Sequence, residues 1–199
     1  GYIQHIGMTA PIVNPDFFKT LGEKVPDTWA DYEVLGKKYK KRNDITVTAL
    51  APNGQHIIFH WASILKSYGG QILSDDLKSV AFNNAIGKKA TEIYTNLADV
   101  RFPETDANSI FIIGKAGMVL DGSWAKSFYN KAEIVKDYYT TVPPKGSQSR
   151  ALGMYVWDWV VNKNATNAQK QASWDFIKYI TNDSNYLDMA KSIGFVPFR

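Results

Sequence analysis

The chain has 199 residues, 45% of them hydrophobic and 21% charged, enough for a sizeable core in one large domain or two small ones. Its net charge of +4 is mild, and its densest basic run, Lys37, Lys38, Lys40, Lys41 and Arg42, reads as the solvated tail of a helix, so the composition argues against a nucleic-acid partner. The lack of cysteine excludes disulfides, thiol catalysis and cysteine metal sites, and no stretch approaches the ~20 apolar residues that cross a membrane.

Residues 1–13 alternate weakly and read as an extended strand. Asn14 is placed to cap a short helix from Pro15 to Leu21, which Gly22 ends. Thr28 caps the next helix, with Asp31 completing a capping box, and Trp29, Tyr32, Leu35 and Tyr39 fall on one apolar stripe. Trp29 therefore reads as core. Asn43-Asp44 breaks that helix, and residues 45–49 alternate as a strand. Pro52-Asn53-Gly54 is a turn, and His56 to Tyr68 a helix closed by Gly69-Gly70. Residues 83–98 form a helix capped by Asn83, with Ile86, Ala90, Ile93, Tyr94 and Leu97 on its stripe.

Residues 108–113 read as an apolar helix ended by Gly114, and Met118-Val119-Leu120 as a short buried strand. Asp121-Gly122-Ser123 then turns the chain, and Ser123 caps a helix that begins at Trp124. A tryptophan at the carboxyl end of a strand stands where open α/β sheets bind ligands, with burial in the core as the equal alternative. Asp137 to Val142 reads as a strand, residues 151–162 as a long strand, 166–181 as an amphipathic helix and 184–192 as a last helix before Gly194. Strands alternating with helices give an α/β fold class.

The sequence holds no Gly-x-Ser-x-Gly elbow, no phosphate-cradling glycine loop and no dinucleotide glycine pattern, so no cofactor is expected. His56 and His60 share a helix face at a zinc-compatible spacing, but Ile57-Ile58 stands where a zinc hydrolase carries its carboxylate, so no metal is expected. A surface pair is the plainest reading of these histidines, ahead of His60 reaching a ligand hydroxyl. Trp and Tyr together number 17, and aromatic rings cover the apolar C–H faces of sugars while neighbours bond the hydroxyls. Tyr155, Trp157 and Trp159 alternate on one strand face, with Trp159 read as core.

Four stretches carry a resemblance in order and spacing: residues 13–29, the Gly114–Trp124 segment, residues 138–146, and Ala172–Thr181 with Gly194-Phe195-Val196-Pro197. Together they resemble the extracellular solute-binding proteins of ABC transporters, sugar-binding group. The resemblance implies a periplasmic-binding-protein-like (type II) α/β lobe of three layers, αβα, within an incomplete two-lobed protein. In its terms residues 1–9 are a hinge-crossing strand, 10–152 the second lobe, 153–157 the hinge return and 158–199 a segment of the first lobe. Such a segment is expected to expose an apolar face.

The resemblance also implies capture of a carbohydrate ligand between two closing lobes and its delivery to an ABC membrane permease. The location it implies is extracytoplasmic, the periplasm or a cell-surface lipoprotein whose lipid anchor lies outside this chain. No catalytic residue is expected. Trp124 matches the family's sugar-stacking tryptophan, and Phe59, His60 and Trp61 fall where one residue faces the ligand. Tyr155, Trp157 and Asp121 complete the expected ligand set. Gly7 stands where maltose-binding relatives carry a ligand carboxylate, and Met154 replaces a second glycine after Gly153, which argues against maltose itself. The competing readings are a binding protein for a metal, polyamine or peptide, and a carbohydrate hydrolase fragment, which needs a carboxylate pair flanking a groove.

Overall fold

Strand β1 (Tyr2–Val13) serves two separate ladders, and this sets the architecture. The structure is a computed structural model and describes residues 2–50, 56–98, 107–125, 129–130 and 135–194. It divides into two units. The larger comprises Thr9–Asp121 and Phe128–Gly153, the smaller Gly1–Met8, Gly122–Ser127 and Met154–Arg199. Residues 122–127 thus group with the chain termini, whereas the sequence expectation set them within 10–152.

The larger unit holds a mixed sheet in the order β2-β3-β1-β4, with β2 (Thr46–Ala49), β3 (Ala116–Gly122) and β4 (Tyr139–Thr140). Strands β2 and β3 run parallel, Thr48 opposite Met118, while β1 and β4 run antiparallel, Val13 opposite Tyr139. Every residue of β2 is buried, so the alternation read in residues 45–49 does not separate a wet face from a dry one. That is the burial of a parallel strand covered on both faces.

Helix α1 (Pro15–Thr20) starts where Phe17 N–H donates to Asn14 Oδ1 at 3.2 Å. Helix α2 (Trp29–Tyr39) carries the expected capping box, Asp31 N–H donating to Thr28 Oγ1 at 3.0 Å. Trp29, Tyr32 and Leu35 are buried in the main core, with Phe17 and Phe18 from α1 and Ile64 and Leu65 from α3 (His56–Ser67). Helix α4 (Ala85–Leu97) adds Ala90, Ile93, Tyr94 and Leu97. Its cap is Asn84, one residue later than expected: Asn84 Oδ1 accepts from the N–H groups of Ile86 and Gly87. Ile86, placed on the apolar stripe by sequence, is exposed. Helix α5 (Ala107–Ile112) ends at Gly114, whose φ of +74° favours glycine.

In the smaller unit, β5 (Met154–Trp159) pairs antiparallel with the first part of β1, from Tyr2 opposite Trp159 to Met8 opposite Met154. Strand β5 is half the expected length, because its ladder with β1 runs only from Trp159 opposite Tyr2 to Met154 opposite Met8. Helices α6 (Asn167–Ile180) and α7 (Asp183–Ile193) follow, capped by Thr166 and Asn182. The Tyr186 hydroxyl donates to Gln4 O at 2.7 Å, tying α7 to β1. This unit exposes Val156, Trp174, Phe176, Tyr179, Leu187 and Ile193. Their number shows that its own elements leave much apolar side-chain area uncovered.

The expected turn at 52–54 and the motif at 195–197 lie outside the described residues. At the strand end, Gly122 still belongs to β3, and Ser123–Ala125 form a turn of 3₁₀ helix rather than the start of an α-helix at Trp124. The strand expected over 137–142 shrinks to Tyr139–Thr140, because only Ile12 and Val13 of β1 pair with it.

Candidate functional site

The candidate residues fall into two groups, one in each unit. In the larger unit, α3 spaces His56, Phe59, His60 and Trp61 around its first turns. Their surroundings differ sharply. Trp61 is half-buried, its indole N–H donates to Thr91 Oγ1 at 3.1 Å, and its ring meets Phe82 edge-on at 5.2 Å. It therefore packs α3 onto α4. Phe59 is half-buried beside Gly153, where an added Cβ would stand 2.7 Å from the Phe59 carbonyl oxygen. The His56 ring meets Phe59 edge-on at 6.3 Å.

His60 is 1% exposed, which overturns its reading as half of a surface pair. Its Nε2 lies 3.1 Å from Leu120 O, and a carbonyl only accepts, so the proton sits on Nε2 and Nδ1 is a bare acceptor. Among the described residues Nδ1, which is buried, has no hydrogen-bond partner. Burial, with the nearby His56, pushes the ring's pKa down to about 4 against the pull of the Leu120 carbonyl, so His60 is neutral at ordinary pH. His56 and His60 do share a face, with ring centroids 6.2 Å apart. Among the described residues no group of three or more His, Cys, Asp or Glu is placed to hold a metal ion.

Asp121, on β3, is 4% exposed. Asn108 of α5 donates to its Oδ2 at 2.5 Å, and the Tyr129 hydroxyl donates to Asn108 Oδ1. The donations run in sequence, from phenol to amide to carboxylate. The sequence did not single out Asn108 and Tyr129; nothing in their spacing from Asp121 signals this contact.

The smaller unit holds the aromatic group. Trp124 follows β3 on the 3₁₀ turn, and Tyr155 and Trp157 stand on β5. The Trp124 and Tyr155 rings meet at 5.8 Å and 52°. Tyr155 and Trp157 meet edge-on at 6.2 Å. Trp124 and Tyr155 are half-buried, and Trp157 is 52% exposed. Trp159 is half-buried against Phe176, at 6.1 Å, rather than fully core.

His5 is the member that sequence reasoning missed. It lies opposite Trp157 in the β1–β5 ladder, stacks on its ring at 6.1 Å and 17°, and meets Tyr155 edge-on at 6.4 Å. Burial lowers its pKa. The antiparallel register carries this information, and a single sequence does not state the register. The four rings of Trp124, Tyr155, His5 and Trp157 form one continuous cluster that suits contact with the C–H face of a small polar ligand.

The architecture matches solved structures of the type II periplasmic-binding-protein fold. The maltose-bound MalE3 of T. maritima is 21% identical with a TM-score of 0.78, over 100% of this chain and 54% of that one. An ABC transporter solute-binding protein from Thermotoga lettingae TMO, bound with α-D-tagatose, is 18% identical with a TM-score of 0.71, over 99% of this chain and 53% of that one. A third, from Agrobacterium radiobacter K84 in complex with ribitol, is 21% identical with a TM-score of 0.73, over 96% and 51%. The chain thus spans about half the length of the structures it matches. No curated protein matches the sequence. Among the described residues no helix is long and apolar enough to cross a membrane. The family model that does match, over residues 4–199, is one of solute binders rather than enzymes: the chain belongs to the bacterial extracellular solute-binding proteins.

Proposed function

We propose that this chain is the part of an extracytoplasmic carbohydrate-binding protein that contacts a sugar or oligosaccharide, which the whole protein delivers to an ABC importer without making or breaking a bond. The observation that carries this reading is the cluster of Trp124, Tyr155, His5 and Trp157, whose rings pack in a row on β1, β5 and the turn after β3. Such rings suit the C–H faces of a sugar. The sugars and the polyol bound by the similar structures point the same way.

In this reading Trp124, Tyr155 and Trp157 of the smaller unit touch the ligand. In the larger unit, His60 and Asp121 are buried and hold its interior, and Trp61 holds α3 to α4. Residues 10–121 and 128–152 belong to the second lobe, 1–9 and 153–157 to its crossings, and 158–199 to the first lobe. The protein works in the periplasm or as a cell-surface lipoprotein.

A thermal-shift screen of the full-length protein tests the assignment, with maltose, maltotriose, D-tagatose, ribitol, spermidine, zinc and nickel as separate probes. A sugar present at 100 times its dissociation constant stabilises by about 2.7 kcal/mol, which raises the midpoint by several degrees. A shift with spermidine or a metal alone, and none with any sugar, refutes it.

A further inference from the structure

Two glycines lie directly under the rings of the aromatic cluster. Gly7 stands opposite Tyr155 in the β1–β5 ladder, and a Cβ built on it would sit 2.1 Å from Cζ of the Tyr155 ring and 2.5 Å from its hydroxyl oxygen. A Cβ on Gly122 would sit 2.1 Å from Cζ3 and 2.2 Å from Cη2 of Trp124. Neither separation is compatible with a real side chain. In each case the atoms met are the far end of a ring, not backbone. The strand has no reason to yield, so the ring would swing aside.

We infer that Gly7 and Gly122 are positioning residues of the ligand site: the two absent side chains are the seats that fix the Tyr155 and Trp124 rings. The seated rings meet at 5.8 Å and 52°, which makes a corner rather than a flat shelf. A cyclic sugar, whose ring offers a broad C–H face, fits such a corner better than an acyclic polyol, which has no ring face to present. Gly7 itself brings no polar group, so at this point of the site recognition passes through the Tyr155 ring. Both glycines and both rings belong to the smaller unit. The selectivity part of this inference rests on the sugar-binding reading above; the seating of the rings does not.

The test is a double-mutant cycle on the full-length protein with Gly7→Ala, Tyr155→Ala and the pair together, and Gly122→Ala with Trp124→Ala run in parallel. Three readouts are taken: the near-ultraviolet circular dichroism of the rings, the thermal midpoint, and titration with maltotriose and ribitol. Gly7→Ala is expected to alter the aromatic dichroism, to move the midpoint by no more than about 2–4 °C, and to weaken maltotriose by about tenfold or more. Its effect on ribitol is smaller, so the preference for the cyclic sugar falls. In the Tyr155→Ala background the same glycine substitution changes nothing further. If Gly7→Ala unfolds the protein and the added Tyr155→Ala restores it, the clash is shown and the seat stands. Unchanged dichroism in Gly7→Ala, or an equal effect with and without the Tyr155 ring, overturns the seats. An unchanged maltotriose-to-ribitol preference overturns the selectivity. A wild type that binds neither maltotriose nor ribitol overturns the selectivity, while the sugar reading is decided by the wider screen above and the dichroism cycle still decides the seats.

Discussion

Replacing His60 with glutamine tests the buried imidazole through the pH dependence of stability. In the folded chain His60 is neutral, with Nε2–H donating to Leu120 O at 3.1 Å and Nδ1 enclosed without a donor among the described residues. Burial, helped by His56, lowers its pKa from 6.5 to about 4. Because the folded value lies below the unfolded one, the unfolded chain takes up the proton first as pH falls. Stability from this group is fully present above pH 6.5 and drains away between 6.5 and about 4. A proton held 2 to 3 pH units less tightly corresponds to about 3 kcal/mol, at most about 1.4 kcal/mol per pH unit. His60→Gln keeps an amide donor for Leu120 O and removes the titration. Its baseline stability falls, but its profile lacks the extra loss. The assay is urea denaturation of both proteins from pH 7.5 to pH 4. His5, whose pKa burial also lowers, is present in both and cancels in the difference. Two parallel profiles would refute the argument and place a hydrogen-bond acceptor or water against Nδ1, ready to take the imidazolium proton.

Three further outcomes follow from the same packing. Trp29→Ala, at a fully buried side chain of the main core, should cost about 3–5 kcal/mol in denaturant unfolding through the cavity it leaves, and a loss under 1 kcal/mol would contradict that position. Leu77 sits at φ +59° with its side chain in solvent, so Leu77→Gly should stabilise by about 0.5–1 kcal/mol, net of glycine's larger unfolded-state entropy, read as a higher melting midpoint. Trp124→Ala should leave the midpoint within a few degrees and weaken sugar titration by about tenfold, whereas a large stability loss with unchanged affinity would return Trp124 to the core.

Local chemistry made most elements readable. Asn14 and Thr28, read as caps, each accept from the first turn of the helix they precede, as Thr166 and Asn182, not singled out in the sequence, also do, and such caps act within four residues. Trp29 was legible as core because the stripe it shares with Tyr32 and Leu35 is a property of one helix. Where two residues of the same type compete, local reasoning fails. Asn83 and Asn84 are equally good caps by residue type; in the fold Asn84 accepts from Ile86 and Gly87, and Gly87 leaves room for the Phe82 carbonyl, which would stand 1.8 Å from a Cβ there. The shortened β4 and β5 fail for a related reason. A strand ends where its partner ends, and β4's partners are Ile12 and Val13, more than a hundred residues away in sequence.

The site was half legible, and the division follows range. Trp124, Tyr155 and Trp157 announce themselves by residue type and by strand alternation, both local signals. His60 shows what residue type leaves out: the same imidazole suits a surface pair, a ligand contact or a metal, and only its distance to Leu120, sixty positions on, makes it an interior donor. His5 depends on the register of two strands whose facing residues are some 150 positions apart, and so does the seat at Gly7, whereas Gly122 seats a ring only two residues on; both seats are defined by what a ring does above an empty backbone. Gly7 was noted in the sequence for the carboxylate it lacks. The structure turns that loss into a gain of space, since the volume a carboxylate side chain would need is the volume that the end of the Tyr155 ring occupies. A side chain longer than hydrogen at Gly7 and the present placement of Tyr155 exclude each other, so any relative that carries the acid there must set its aromatic ring elsewhere.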